Sequence, residues 1–336
     1  MSAPLAVEVT ELRLKACSVE EHCQALIAIR KLPFWWYQGV SRVFGNYSLP
    51  FQDCNGVWWY QVKPGLCWPV DFLRPLSASR AAPPMGNSYL GFQHVAGEEA
   101  EANSRLVINV VEDVSGYGPA AIDSKRRNAV RKGLKSCELS VVTGLDSETL
   151  DGCRKAWDEL TRRTGWKQAA DPVMFEQSWR TMLDCPGVSI ILGRDAESGE
   201  VAGFLTVKII GDTAYVDTIA SRSEMLKTNV NDALMFAFVC SAAKLPGVRT
   251  AHYAIKSNVQ SLERFKTSIG FSPVSFPAVT RLRGLAGPVV RTLFPEKYRR
   301  MVGQFAEAGG ANDDNGKWFG LLWTGERPAA TRLHDE

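Results

Sequence analysis

Asp217 and His252 are the side chains of this sequence whose types and placement fit proton transfer to or from a reacting group. Asp217 lies in a strand-like run from Thr213 to Ile219, where a regular strand puts its carboxylate on the face of Tyr215 and Ile219. Beside apolar groups a carboxylate is pushed toward its protonated form, which moves it toward the range of a general base. His252, one of four histidines, lies in the strand-like run from Val248 to Ile255, and an ordinary imidazole pKa of about 6.5 suits neutral-pH proton transfer. The alternatives stay open: a solvated or structurally bonded Asp217, and a structural His252. No Ser-His-Asp or Cys-His arrangement can be drawn, so a covalent protein intermediate is not expected.

A second group of residues could bind rather than react. Six cations, among them Lys125, Arg127, Arg131 and Lys132, fall between Lys125 and Lys135. Their helical spacing spreads them over two faces, which fits a solvated helix, an anionic-substrate or lipid-linked phosphate site, or tRNA. The absence of interleaved aromatics weakens the RNA reading. Trp36 belongs to the cluster Phe34 to Tyr37, which reads either as core and interface or as the aromatic wall of a substrate cleft. The eight cysteines are scattered without a close pair, so neither a zinc site nor any other metal is expected, and reduced thiols are. The first residues lack the basic-then-apolar pattern of a signal peptide, and the apolar run from Ala233 to Ala243 is too short to span a bilayer. A cytoplasmic protein is expected.

These residues must be positioned by a mixed α/β scaffold. Residues 5–15 alternate like a strand, and Ser18 with Glu21 forms a capping box for a helix over Glu20 to Ile29. Strands are predicted at Gly56 to Val62, Ser104 to Val111 and Glu138 to Val142, with a basic helix over Ala120 to Leu134. Two further helices follow, one starting at Asp146 or Ser147 and one over Pro172 to Leu183. Val188 to Gly193, Val201 to Ile210 and Thr213 to Ile219 are joined by polar or glycine turns and predict an antiparallel meander. A helix from Asn231 to Lys244 follows, then the strand holding His252 and a short helix from Leu262 to Ser268. No glycine-rich nucleotide fingerprint occurs.

That meander, the helix from Asn231 and the segment from Asn258 to Phe271 resemble the GNAT acyltransferase family. Asn258, Ser261, Phe265, Lys266, Gly270 and Phe271 occupy its late motif in order. The basic run from Ala121 to Lys135 and the run from Asn231 to Phe238 are similar to FemAB-like proteins, which fuse two GNAT-like domains and move aminoacyl or acyl groups onto amines. The resemblance implies a GNAT-like mixed sheet flanked by helices, with two such domains in tandem. Its domains would be residues 1–120, a linking helix at 121–136, an acyltransferase domain at 137–300 and a tail at 301–336. It also implies an N-acyltransferase in which an amine directly attacks an acyl group from acetyl-CoA or another acyl-CoA. The alternatives are aminoacyl transfer from charged tRNA and a non-catalytic GNAT-like binding protein. The acceptor would be a small-molecule amine.

The resemblance also assigns cofactor contacts. The family's glycine turn, whose amides hold pyrophosphate, falls here on Asn229 and Asn231, with Leu226 and Lys227 before them. Asparagine tolerates left-handed backbone, so the nest can survive the change. Arg222 and Lys227 would balance phosphate charge or stand as ordinary surface cations; Asn258 would bond the pantetheine arm or a backbone group that shapes the splayed strand, and Ser261 would join that cofactor site or simply face the helix. Phe265 stands where the family often has a tyrosine acid, so either the leaving group needs no acid or Tyr253, His252 or Tyr215 supplies it.

Overall fold

The computed structural model describes residues 11–28, 49–164, 171–257 and 259–303. Its strands are β1 (Phe51–Gln52), β2 (Trp58–Lys63), β3 (Leu66–Pro69), β4 (Gly91–Val95), β5 (Ser104–Val111), β6 (Cys137–Val141), β7 (Val188–Asp195), β8 (Val201–Ile210), β9 (Thr213–Ser221), β10 (Thr250–Ile255) and β11 (Ser272–Leu282). The helices are α1 (Val19–Ala28), α2 (Ser124–Ser136), α3 (Ser147–Thr164), α4 (Pro172–Asp184), α5 (Val230–Ala242), α6 (Gln260–Ser268), α7 (Ala286–Leu293) and α8 (Pro295–Met301).

The eleven strands form one sheet in the order β1-β2-β3-β4-β11-β5-β10-β9-β8-β7-β6. The predicted meander is there: β7, β8 and β9 pair antiparallel, and β10 then joins β9 in parallel. β5 runs antiparallel to both β10 and β11, so the sheet continues unbroken across residues drawn from 1–120 and from 137–300. β11 carries Pro273 and Pro277 and has no clean alternation, which hides it from a periodicity reading.

α5 is apolar on every side, and Leu234, Phe236 and Phe238 are almost wholly buried, as expected of a helix enclosed by its neighbours. It packs with α2 and the strands in the largest core, while α3 and α4 build a second core around Trp179 and Phe204. Ser18 and Glu21 cap α1 reciprocally, with Ser18 N donating to Glu21 Oε2 at 2.8 Å and Glu21 N donating to Ser18 Oγ at 3.1 Å.

The expected first strand is absent over its described part, residues 11–15. Leu12 and Leu14 do alternate into the core, but their segment finds side-chain partners instead of a ladder. Leu12 N donates to Ser241 Oγ and Lys15 N to Ser189 Oγ. Alternation reported the burial correctly and the hydrogen-bond partners incorrectly.

Candidate active site where two strands part

β9 and β10 stay paired over three positions only, Thr213–Tyr215 against Thr250–His252. Just beyond, both strands leave regular geometry. β9 pairs Val216 with Val207 and Thr218 with Thr206, leaving Asp217 as the extra residue of a bulge. β10 loses its register against β5 between His252 and Ile255, and Ala254 adopts a left-handed φ of 59°. His252 therefore sits at the apex of a V.

Its ring packs against Tyr215, with centroids 5.2 Å apart, and edge-on to Phe72 at 6.1 Å. The residue keeps some accessible carbon surface, yet both ring nitrogens are shut from solvent and have no partner among the described residues. Burial, together with Lys266 and Lys208, pushes the imidazole pKa down to about 3. The proton-transfer role expected from an ordinary pKa is thereby corrected. At neutral pH the ring is uncharged, a poor base, and a ready hydrogen-bond donor through one nitrogen.

The apolar setting expected for Asp217 is also corrected. Its carboxylate pairs with Lys208 Nζ at 3.3 Å, in a position almost closed to solvent. The bulge removes the expected shared face as well: Ile219 packs with the α5-side core, whereas Tyr215 faces His252. An extra residue reverses strand alternation, which no periodicity reading can foresee. Tyr215 donates its hydroxyl to Asp71 Oδ1 at 3.3 Å. Burial, reinforced by Asp212, raises the Asp71 carboxyl above its usual range. Asp71 borders a cleft of about 540 Å³ whose lining includes Asp212, Glu112 and Arg74.

Tyr253 points the other way from His252, into the α5-side core, with its ring 5.5 Å from Phe271 and Lys266 Nζ 5.1 Å from its centroid. Burial raises its phenol above the ordinary value, so it keeps its proton. Lys266 is fully buried and pairs with Glu263 at 2.9 Å, while Glu263 also accepts from Ser257 N at 2.8 Å. This pair anchors the chain on either side of Asn258, which itself lies outside the described residues. Ser261 is exposed on α6. Gly270 has a φ of 100°, and an added Cβ would come within 2.9 Å of the Tyr117 ring, so glycine is required there on two counts.

The turn into α5 keeps the left-handed conformation glycine would give, with Asn229 at φ 61° and ψ 34°. Its surroundings fit a pyrophosphate poorly. Arg222 is held by both Glu200, at 2.8 Å, and Glu224. Asn229 O caps Asp232 N and Ala233 N and lies against α2, where a Cβ on Gly133 would approach it to 2.5 Å. Lys227 is exposed and is in no ion pair among the described residues. The Asn231 side-chain oxygen is buried without a partner among those residues.

Along α2, Lys125, Lys132 and Lys135 are exposed, whereas Arg127 donates to Pro119 O and Arg131 to Asn128 Oδ1. Arg126 is the α2 cation that the sequence did not single out. It pairs with buried Asp232 at 2.6 Å, donates to Ser268 Oγ at 2.8 Å and lies 5.1 Å over the Phe265 ring, tying α2 to α5 and α6. Arg126→Ala would leave Asp232 buried and uncompensated, and is expected to cost about 3 kcal/mol in denaturant unfolding. A loss under about 1 kcal/mol would remove the bridge from the account of how α2 is fixed. Lys208 was detectable as a lone cation in the apolar run Val201 to Ile210, but Asp71 sits in a loop without any local signal. Trp36 lies outside the described residues.

No family model matches the chain, and no curated protein matches it in sequence. Solved structures do. The structure of FemX has a TM-score of 0.52 at 11% identity, covering 82% of this chain and 98% of FemX. That of L-PGS from Bacillus licheniformis gives 0.51 at 15% identity, covering 87% of this chain and 100% of its own. The C-terminal domain of a putative lysylphosphatidylglycerol synthetase from Agrobacterium fabrum gives 0.50 at 11% identity, covering 87% and 99%. The fold is GNAT-like. The likeness includes FemX and extends over nearly the whole of each of the three chains. Among the described residues no helix is long and apolar enough to cross a membrane, and no three His, Cys, Asp or Glu side chains converge on a metal position.

Proposed function

We propose that this protein transfers an acyl group to an amine by direct attack, with the reacting carbonyl held at the parting of β9 and β10. The observation that carries the reading is His252. A buried imidazole whose two nitrogens are unpartnered among the described residues is costly in a protein that never offers it a ligand. A substrate group that satisfies it restores that loss, and most strongly when negative charge develops on oxygen.

The neutral amine attacks the carbonyl carbon and the carbonyl electron pair moves to oxygen. His252 donates an N–H to that oxyanion. Collapse reforms the carbonyl, breaks the bond to the carrier, and the proton lost by the amine ends on the departing carrier atom. The cleft bordered by Asp71, Asp212 and Glu112 supports an acceptor that arrives as a protonated amine and gives its extra proton to solvent before it attacks, because its carboxylates outnumber Arg74. Tyr215 links that cleft to His252.

The donor reading is an aminoacyl ester on tRNA. Arg222 is spent on Glu200 and Glu224, which disfavours a CoA pyrophosphate at the α5 turn, while Lys125, Lys132 and Lys135 on the neighbouring α2 remain exposed for a phosphate backbone. Acyl-CoA is the second reading, favoured by the left-handed Asn229. Thermal unfolding separates them, since donor at about 100 times its Kd should raise stability by about 2.7 kcal/mol. The expected result is a rise with aminoacylated tRNA and none with acetyl-CoA or longer acyl-CoAs. A rise with acyl-CoA alone would select the second reading. No rise with either, and no amine acylated, would sink acyl transfer and leave a GNAT-like binding protein.

A further inference from the structure

Six of the nine large apolar side chains exposed among the described residues gather at one corner of the molecule. Leu285, Val289 and Leu293 follow a four-residue spacing along α7 and so form one stripe, with Phe294 at its end; Leu285 and Leu293 are 79% and 65% exposed. No residue of α7 is buried. Tyr89 and Leu90 belong to the adjoining loop, which is joined to the start of this segment by Arg283 N donating to Leu90 O at 3.0 Å. A solvated helix does not need such a stripe, and a contiguous exposed apolar patch marks a surface that something else covers.

Charge identifies the chemistry of the cover. Between residues 281 and 300 the sequence carries Arg281, Arg283, Arg291, Lys297, Arg299 and Arg300 against Glu296 alone. Arg281, Arg291 and Arg299 are exposed. Beside them Arg281 and Arg283 border a cleft of about 520 Å³, and the Arg283 Nε is closed to solvent without a partner among the described residues. An apolar stripe with cations at its rim matches an anionic lipid surface: acyl chains receive the stripe, and headgroup phosphates meet the guanidinium groups. RNA would leave the aliphatic side chains unserved.

We infer that the α7–α8 corner is a peripheral docking surface for an anionic bilayer, with α7 lying in the headgroup plane. The surface is separate from the parting of β9 and β10, and holds whichever acyl donor is used.

The test is cosedimentation of the full chain with phosphatidylcholine vesicles, with and without phosphatidylglycerol. Binding is expected only with the anionic lipid and should weaken as salt rises. A variant combining L285E, L293E and F294E should lose binding by at least about tenfold. One combining R281Q, R291Q and R299Q should lose about a hundredfold, each cation contributing about fivefold. All six positions are exposed, so an unchanged melting temperature is expected and shows that the variants fold. No binding by the full chain, or equal binding to both vesicle types, overturns the inference. Binding that appears only after removal of residues 304–336 would assign the stripe to that segment instead. Loss of self-association in the apolar variant with vesicle binding unchanged would assign it to a second copy. Loss of tRNA binding in the arginine variant with vesicle binding unchanged would assign the cations to RNA.

Discussion

His252→Leu is expected to lower the rate of acyl transfer by about 100- to 1,000-fold while making the folded protein more stable by about 1 kcal/mol or more. The two effects have one cause. In the free protein the imidazole nitrogens are desolvated and unpartnered among the described residues, so an apolar side chain of similar volume in contact with Tyr215 and Phe72 removes a penalty. In the transition state the same nitrogen supplies an N–H to the oxyanion, and leucine cannot. Single-turnover rates read the first effect, and urea unfolding the second. Transfer within threefold of the parent protein would remove His252 from the site. A variant that lost activity and stability together would show that the ring is a structural residue whose neighbours need it.

Acidification should destabilise the protein steeply well above the pH at which most carboxylates titrate. His22 and His252 have pKa values pushed down to about 4 and about 3, in each case chiefly by burial and with Lys208 contributing. Both are depressed relative to the unfolded value of about 6.5, so the unfolded chain binds protons that the folded chain refuses. Stability is therefore intact above about pH 6.5 and falls as pH is lowered from there toward the folded pKa values. Between pH 6.5 and 4.5 each histidine contributes up to about 2.7 kcal/mol, and together about 5 kcal/mol, a large share of a typical folding free energy. Asp71 and Asp232 act in the opposite sense, because their carboxyls are raised by burial and take up protons before the unfolded chain does. They offset part of the loss. Urea midpoints at pH 7, 5.5 and 4.5 measure the slope, and His252→Leu should remove roughly half of it. An unchanged slope in that variant would mean that the ring is not buried and neutral in solution.

These results bear on how the site is built. Lys208 pairs with Asp217 and adds to the effect of burial on both histidines, so one cation in an apolar strand holds a carboxylate in place and helps to keep two buried imidazoles neutral. On the opposite side of the sheet, Lys266 and Glu263 fix the start of α6, and Arg126 fixes α2 over the first turn of α5. Asp217, Lys208, Glu263 and Lys266 around the V are thus paired with one another, beside an imidazole that is uncharged at neutral pH.

Much of the scaffold was legible in the residues. The meander over 188–221, the helix of α5 and the His252 strand follow from alternation, apolar runs and turn chemistry, which are local. The capping of α1 by Ser18 and Glu21 is local too, and it appears as expected. His252 and Tyr215 were visible as candidates by type and strand, but their meeting across parallel strands depends on a crossover through α5 that sets the register. The sequence by itself determined the elements and the kinds of side chain available for chemistry. Tertiary structure decided what those side chains are. It placed β5 between β10 and β11, added the Asp217 bulge, gave Asp217 to Lys208 and Arg222 to two glutamates, and enclosed the His252 nitrogens without a partner among the described residues. Periodicity carries the face a residue shows, whereas charge state and hydrogen bonding depend on neighbours that are distant in sequence.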